Sequence, residues 1–292
     1  MRRRTWLGAA TAALAACTLA PDVDHDEPDA PRAEPLRRPV RTAWVLSSGG
    51  PRGFVHVGVL KALDELHLMP DLIVGASVGA LVGCLRASGV AADTIETLAL
   101  DLPLTAMARL VWSADERFSS APVAELVHRY AEVRLLERMP VAMACVAARK
   151  RDRALVAFTA GDAGVAVQAS SAIEGQFTPV RIHGEQHIDA DWVAPLPVRL
   201  ARSLGAQRVL AVDASAHEDR APSGAERYRD GDLRKRALVQ ADAVRADVVL
   251  HPDFGYWVSL SREFRERAIA AGYRETLAQA ARLRELHDEP RA

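Results

Sequence analysis

Cysteine and aromatic residues are scarce in this chain of 292 residues, which has three cysteines and 5% aromatic side chains. Two of the thiols, Cys84 and Cys145, lie in apolar segments where Cys serves as a small core residue, so we predict buried free thiols rather than a disulfide.

A formal net charge of -1 offers no positive field for nucleic acid, so no nucleic-acid partner is predicted. Neither a calcium loop nor a zinc-ligand spacing occurs, so no metal is predicted. The remaining composition is that of a globular protein with one folded domain.

The N-terminus has the layout of a secretory signal. Three arginines at residues 2–4 precede an uncharged stretch at residues 5–16 that is too short to span a bilayer, and the sequence LAAC then ends at Cys17. LAAC resembles the lipobox of bacterial lipoproteins, in which the cysteine is lipidated and becomes residue one. The resemblance implies a signal peptide at residues 1–16. It also implies a membrane-anchored, periplasm-facing lipoprotein of the bacterial cell envelope. The outer membrane is favoured over the inner one because Thr18, rather than Asp, follows Cys17, by analogy with enterobacterial sorting.

The segment that follows is rich in proline and acidic residues. Residues 17–40 have little to bury, so we predict a disordered tether between the lipidated cysteine and the folded domain.

Two kinds of apolar segment alternate along the rest of the chain. Short apolar runs at residues 42–46 and 72–74 predict buried strands, and residues 54–66 and 80–87 predict helices. The same patterns predict further strands at 141–146, 155–159, 209–212 and 248–250, and further helices near 122–132, 198–204 and 261–286. This alternation predicts an α/β fold with three α/β/α layers and a mostly parallel central sheet.

The run GASVG contains the first candidate functional residue. A nucleophilic serine needs a tight strand-to-helix turn with small residues on both sides, and Gly75 and Gly79 supply them around Ser77. The pattern alone is common, but here it follows a predicted strand and precedes an apolar helix. We therefore predict Ser77 as a nucleophile on a nucleophile elbow.

A glycine-rich loop, SGGPRG at residues 48–53, follows the first predicted strand and opens the first helix. Backbone amides of such a loop can stabilise an oxyanion. Because Pro51 has no amide hydrogen, the candidate donors are the other residues of the loop. They are Gly49, Gly50, Arg52 and Gly53.

Together these motifs resemble the start of patatin-like phospholipase domains. The stretches SGGPRGFVHVGVLKALDEL and PDLIVGASVGALVG contain that family's glycine loop, helix and GxSxG in order, with Ser48 where the family's loop often begins with glycine. A later block around Asp189 resembles the family's DGG or DGA run, whose aspartate partners the serine. The resemblance implies a patatin-like fold and a Ser77–Asp189 dyad that hydrolyses a lipid or other acyl ester without a cofactor or metal.

The choice of aspartate leaves an alternative open. The chain has Asp189, Ala190 and Asp191 in place of DGG, and Ala190 would be strained if the site needed a positive φ. Asp191 is therefore the main competitor of Asp189. The same substitution is the best support for a catalytically weak or inactive lipid-binding protein.

Histidine separates a dyad from the Ser-His-Asp triad of α/β-hydrolases. His251, after the predicted strand at 248–250, is the one candidate base for such an esterase, and His56 is interpreted as a packing or hydrogen-bonding residue. Asp213 follows a strand and is interpreted as a structural cap. A dinucleotide-binding domain is disfavoured, because Ser48 replaces the first glycine of its fingerprint and no acidic residue ends the second strand.

The resemblance covers residues 41–213, the predicted catalytic core, and residues 214–292 are predicted to continue the same domain. Within them residues 218–236 lack apolar anchors, which predicts a mobile surface loop or a lid. Residues 98–112 are apolar enough for a lip that meets lipid, although core packing also explains such a run. The sequence predicts no protein partner.

Overall fold

The structure is a computed structural model that describes residues 23–103, 107–110, 116 and 118–288, so Cys17 and the predicted signal peptide lie outside the described residues. The strands are β1 (Asp24–His25), β2 (Thr42–Leu46), β3 (Leu72–Ala76), β4 (Arg109–Leu110), β5 (Phe118–Ser119), β6 (Ala142–Arg149), β7 (Leu155–Phe158), β8 (Val180–Ile182), β9 (Glu185–Asp189), β10 (Arg208–Val212) and β11 (Val248–Leu250). The helices are α1 (Phe54–Glu65), α2 (Val78–Ala87), α3 (Ala92–Asp101), α4 (Ala121–Tyr130), α5 (Ala163–Ser170), α6 (Val198–Ser203), α7 (Arg229–Ala243), α8 (Arg262–Ala278) and α9 (Ala280–Asp288).

The central sheet runs in the order β1-β8-β9-β6-β3-β2-β10-β11, with β7 paired to β6 off this path. The five strands from β6 to β11 are parallel, and the antiparallel pairs β6–β7, β6–β9 and β8–β9 lie towards the other edge. The strand order reverses between β2 and β10, and ligands of open α/β sheets bind where the order reverses, beyond the carboxyl ends of the strands. The glycine loop follows β2 at this edge.

Helices cover both faces of the sheet, which confirms the predicted three-layer α/β fold. Along β2 the side chains alternate, so that Trp44 and Leu46 enter one hydrophobic core and Ala43 and Val45 enter the other. The first core is closed mainly by α1, α2, α4, α5 and the C-terminal helices, and the second by α6 and α7. Burial on both faces explains why the central strands are continuously apolar rather than alternating.

The prediction of a disordered tether is wrong for its described part, residues 23–40. Strand β1 pairs in parallel with β8, and Arg32 exchanges backbone hydrogen bonds with Ala160 and Thr159 at 2.8 to 3.1 Å. Ala30 is buried in the first hydrophobic core, which also contains Trp44 and Leu46. Backbone pairing with the sheet edge therefore orders a segment whose side chains give no hydrophobic pattern.

The prediction of a mobile surface loop at residues 218–236 is also wrong for residues 229–236, which form the first part of α7. Short 3₁₀ turns at Glu218–Arg220 and Glu226–Tyr228 lead directly into α7, which begins at Arg229. Ion pairs hold this region: Arg236 lies 3.3 Å from Glu218, and Lys235 lies 2.7 Å from Asp191. Because charged contacts replace apolar anchors, hydrophobic periodicity does not reveal the helix.

The predicted free thiols are confirmed, since Cys84 and Cys145 are both buried and unpaired. They lie together in the core, where a hydrogen bond with Cys84, together with burial, raises the pKa of Cys145. Among the described residues, no helix is both long and apolar enough to cross a membrane.

Candidate active site

Ser77 lies on a sharp turn between β3 and α2 with a backbone conformation that few residues adopt. Its φ is 55° and its ψ is -124°, and residues other than glycine reach positive φ only with strain. The turn also brings backbones close together, because a Cβ at Gly79 would overlap the carbonyl oxygen of Leu46, and a Cβ at Gly75 would overlap that of Gly79. This is the geometry of a nucleophile elbow, with Ser77 at its tip and the N-terminus of α2 behind it.

A second serine, which the sequence pattern did not single out, holds this turn in place. The Ser170 hydroxyl, at the end of α5, accepts a hydrogen bond from the Ser77 amide at 2.9 Å and donates one to the Val146 carbonyl at 2.6 Å. Ser170 is fully buried. It therefore ties the elbow to strand β6, and only the three-dimensional contact reveals that role.

Asp189, the last residue of β9, is buried beside the elbow. Its Oδ1 accepts the Asp191 amide at 2.8 Å, and its Oδ2 has no partner of ordinary hydrogen-bond geometry among the described residues. Burial, and then the negative charge of Asp191, raise the pKa of Asp189 to about 7, whereas the Ser77 hydroxyl lowers this pKa. The Ser77 hydroxyl is thus a neighbour of the Asp189 carboxyl group.

The competing carboxyl group, Asp191, has other partners. Its Oδ1 accepts from the Ser48 hydroxyl in a short hydrogen bond and from the Lys235 ammonium at 2.7 Å. The Asp189 carboxyl is buried beside Ser77, whereas the Asp191 carboxyl is partly exposed and engaged with the glycine loop and α7.

The backbone at Ala190 is not strained, although alanine would be strained at this position if the site needed a positive φ. The described non-glycine residues with positive φ are His67, Ser77, Arg153 and His183, so Ala190 is not among them. Its methyl group is fully buried in the second hydrophobic core, which α6 and α7 close. The replacement of the family's glycine is therefore accommodated without a strained backbone.

In the glycine loop, Gly50 has a φ of 52°, and a Cβ there would meet no other atom, so glycine is needed for conformation rather than space. The Arg52 amide donates to the Gly49 carbonyl at 3.0 Å and is engaged within the turn. Of the predicted donors, Gly53 packs against Val78, and Gly50 lines the same cavity as Ser77.

The Arg52 side chain braces this loop against the C-terminal part of the chain. Its Nε donates to the Ala214 carbonyl at 2.9 Å, and its Nη1 donates to the carbonyls of Gly255 and Tyr256 at 3.0 Å each. The guanidinium group also stacks on Phe254 at 4.3 Å. Arg52 is therefore a structural residue of the loop.

The histidines and Asp213 are occupied elsewhere. Complete burial lowers the pKa of His56 to about 4, and its Nε2 hydrogen-bonds the Ser47 carbonyl at 2.9 Å. His251 stacks on His217 at 3.7 Å, and its Nε2 lies 3.6 Å from Asp213 and 3.4 Å from the Ser215 hydroxyl. Asp213 accepts the Ser215 amide at 2.8 Å in an Asx turn of the loop after β10, so its role is structural although no helix begins there. In the described part of the chain, no hydrogen bond joins His251 to Ser77.

An apolar cavity of about 450 Å³ opens beside Ser77, within the usual size range of ligand pockets. It runs between α2, α3 and α4. The lining includes Leu98, Ala99, Leu102 and Met107 from the segment predicted as a lip or core, together with Leu81, Leu85, Ile95, Val123, Phe177 and Leu260. The described residues of that segment therefore line a cavity next to the serine, while residues 104–106 and 111–112 lie outside the described residues.

Across residues 23–103, 107–110, 116 and 118–288, no three His, Cys, Asp or Glu side chains are arranged to hold a metal ion.

A three-layer α/β fold with a strained serine elbow, a buried carboxyl group and an adjacent apolar cavity defines the class of α/β proteins with a nucleophile elbow. Residues 44–202 match the model of the family described as patatin-like phospholipase. The chain belongs to the patatin-like phospholipase family.

Similar proteins share this domain within longer chains. Patatin-like phospholipase domain-containing protein 6 of Mus musculus is 28% identical over 185 residues, which is 61% of this chain and 14% of that protein. Lysophospholipase NTE1 of Coccidioides immitis (strain RS) is 28% identical over 188 residues, or 62% of this chain and 12% of that protein. The chain thus spans a small part of the length of these relatives.

Among solved structures, VipD from Legionella pneumophila has a similar fold. The TM-score is 0.58 at 13% sequence identity, with 89% of this chain and 71% of that chain covered. At this identity the likeness shows the fold alone.

Proposed function

We propose that the protein is a serine acyl-hydrolase that cleaves lipid esters, with Ser77 as nucleophile and Asp189 as its base. The observation that carries the proposal is the arrangement at one point of the molecule. A serine on a strained elbow, a buried carboxyl group whose pKa is raised to about 7, and the mouth of an apolar cavity lie together. A base with a pKa near neutrality is matched to proton transfer at physiological pH.

In the proposed first half-reaction, the ionised Asp189 takes the proton of the Ser77 hydroxyl while the oxygen attacks the ester carbonyl carbon. The resulting tetrahedral oxyanion accepts hydrogen bonds from amides of the glycine loop, for which Gly49 and Gly50 are the best candidates, and from the amide of Val78. Val78 is the first residue of α2, where amides lack intrahelical acceptors and the helix dipole favours negative charge.

Collapse of the tetrahedral intermediate breaks the bond to the leaving alcohol, which takes the proton back from Asp189. In the second half-reaction Asp189 accepts a proton from water, the hydroxide oxygen attacks the acyl-enzyme, and Ser77 regains its proton as the acid is released. The steps require no metal or cofactor. Protons return to their starting groups at the end of each cycle.

The cavity supports an acyl chain as the part of the substrate that is bound. Its lining is almost wholly apolar, and Ser77 lies at its wall, so a chain that fills it brings its ester carbonyl to the serine. The activity named for the fungal relative favours lysophospholipid substrates, and the description of the family favours phospholipids. We propose that the headgroup stays near solvent while the acyl chain enters beside α3.

Replacing Ala99 with tryptophan is expected to shorten the acyl chain that the site accepts. Ala99 lines the cavity from α3, so an indole ring there occupies the space of the chain end. kcat/KM for a p-nitrophenyl palmitate substrate should fall about tenfold or more, with little change for the acetate. Thr97→Trp, on the exposed side of the same helix, is the matched control. Equal losses for both esters in Ala99→Trp would exclude the cavity as the acyl site.

The substrate class is tested with the purified protein on phospholipids, lysophospholipids, triacylglycerols and short p-nitrophenyl esters. We expect release of fatty acid from at least one lipid class and its loss in Ser77→Ala. A folded protein that hydrolyses none of these substrates would overturn the proposal. An inactive lipid-binding protein receives no support from Ala190, since that residue carries no strain.

We also propose that Cys17 is lipidated and anchors the protein at the bacterial cell envelope, facing the periplasm, with the outer membrane favoured. The support is the sequence of residues 1–17 alone. Incorporation of labelled fatty acid in a bacterial host should be lost in Cys17→Ser and retained in Cys84→Ser, whose thiol is buried. Labelling that persists in Cys17→Ser would contradict lipidation at this residue.

A further inference from the structure

A polar cluster joins three separate parts of the chain next to Asp189. Ser48 opens the glycine loop, Asp191 closes the turn after β9, and Lys235 comes from α7. The Ser48 hydroxyl makes a short hydrogen bond to Asp191 Oδ1, and Lys235 Nζ lies 2.7 Å from the same oxygen and 3.4 Å from the Ser48 hydroxyl. One carboxylate oxygen therefore holds the glycine loop and helix α7 together.

The cluster connects directly to the proposed base. The Asp191 amide donates to Asp189 Oδ1 at 2.8 Å, so the two carboxyl groups belong to one turn. The side chains of Asp191 and Lys235 are 29% and 24% exposed, and partial shielding from water makes their charges act more strongly on neighbouring groups. Two negative charges this close repel each other, and Lys235 is the cation that pairs with Asp191.

Within the described residues, the partners of Asp189 on β6 and after α5 are uncharged. Strand β6 presents Ala147 as its paired residue, and the Ala172 carbonyl after α5 accepts the Asp189 amide at 2.9 Å. His187, two residues earlier on β9, packs on Phe158, and burial lowers its pKa. Asp191 and Lys235 are thus the charged groups that face Asp189 within the described residues, alongside the hydroxyl of Ser77.

We propose that Ser48, Asp191 and Lys235 form a positioning network that fixes the glycine loop against the Asp189 turn, with Lys235 balancing the charge that Asp191 places beside Asp189. The proposal rests on the proposed function, because Asp189 must be ionised to act as base. It assigns α7 a role in the site: the helix carries the balancing cation. Ser48 stands where the family's loop often has glycine, and Asp191 stands where its DGG or DGA run has glycine or alanine, so the two departures contact each other.

The two charged members are expected to shift the pH profile in opposite directions. Lys235→Met removes a cation that favours ionised Asp189, so the acid limb of kcat/KM for a soluble p-nitrophenyl ester should move up by about one pH unit. Asp191→Asn removes an anion that disfavours ionised Asp189, so the acid limb of kcat/KM should move down by about one pH unit. Lys235→Arg keeps the charge and should keep the limb close to that of the parent protein.

Lys61→Met is the matched control, since Lys61 on α1 also forms ion pairs, with Asp93 and Glu96 rather than with the Asp189 turn. Circular dichroism checks that each variant is folded. Opposite shifts, with none in Lys61→Met, would support the network. The network would be overturned if the acid limb of the pH profile did not shift, or if it shifted in the same direction in Lys235→Met and Asp191→Asn.

A ¹³C NMR titration of the Asp189 carboxyl group in the same proteins measures its pKa directly and does not depend on catalytic activity. A parent protein that hydrolyses no ester would therefore contradict the proposed function, whereas the titration would still decide the network. Unequal titration of Asp189 in Lys235→Met and Lys235→Arg supports charge balance. Equal titration in both contradicts it.

Discussion

Ser77→Ala is expected to lower kcat/KM for ester hydrolysis by about four to six orders of magnitude, because no other hydroxyl can replace the nucleophile at the tip of the elbow. The fold should persist, since alanine has the Cβ that the turn already accommodates and Ser170 still binds the backbone amide of residue 77. Initial rates with p-nitrophenyl butyrate and an active-site titration measure the effect.

A serine elsewhere and a glycine at the same place are the controls. Ser203→Ala, on α6, removes a hydroxyl that donates to the Leu200 carbonyl at 2.8 Å and should leave kcat/KM unchanged. Ser77→Gly should be equally inactive but more stable by about 1 kcal/mol, because glycine adopts a φ of 55° without strain. Activity retained in Ser77→Ala would exclude Ser77 as the nucleophile.

Asp189→Asn is expected to lower kcat/KM by about three to four orders of magnitude and, at pH 8, to stabilise the fold. The folded-state pKa of about 7 lies above the ordinary value of 3.8, so between these values the folded protein binds a proton that the unfolded chain does not. Stability therefore falls as pH rises through this window, and the loss is complete above pH 7. Asparagine does not titrate and avoids this loss, which is on the order of 2 to 4 kcal/mol.

Urea denaturation at pH 4 and pH 8 measures the stability effect. The free energy of unfolding of Asp189→Asn should exceed that of the parent protein at pH 8 much more than at pH 4. Asp219→Asn, on the exposed 3₁₀ turn before α7, is the matched control for the loss of a carboxylate outside the site. If Asp191→Asn rather than Asp189→Asn abolished activity, the assignment of the base would be wrong.

Local turn chemistry explains why the centre of the site could be predicted. Ser77 lies between glycines that only a tight turn requires, and the loop at residues 48–53 has a proline and glycines at fixed positions. Apolar runs likewise predicted the central strands within one or two residues, except β6, which continues to Arg149, because those strands are buried on both faces.

The remaining parts depend on contacts between distant residues. Ser48 and Asp191 are 143 positions apart, and no local pattern links them. Helix α7 is held by ion pairs, and β1 by backbone pairing, so neither has the apolar periodicity that predicts an element. An apolar run such as residues 98–102 predicts burial, but the sequence does not distinguish packed core from a cavity wall. In the structure, side chains of this run line the cavity beside Ser77.

The dyad of Ser77 and Asp189 without a histidine base is tested most directly by the rate of labelling with a fluorophosphonate, followed by peptide mapping. We predict that the label is found on Ser77, that its rate falls by about three orders of magnitude in Asp189→Asn, and that it is unchanged in His251→Ala. Labelling of another residue, or a loss of labelling in His251→Ala with normal labelling in Asp189→Asn, would contradict the dyad.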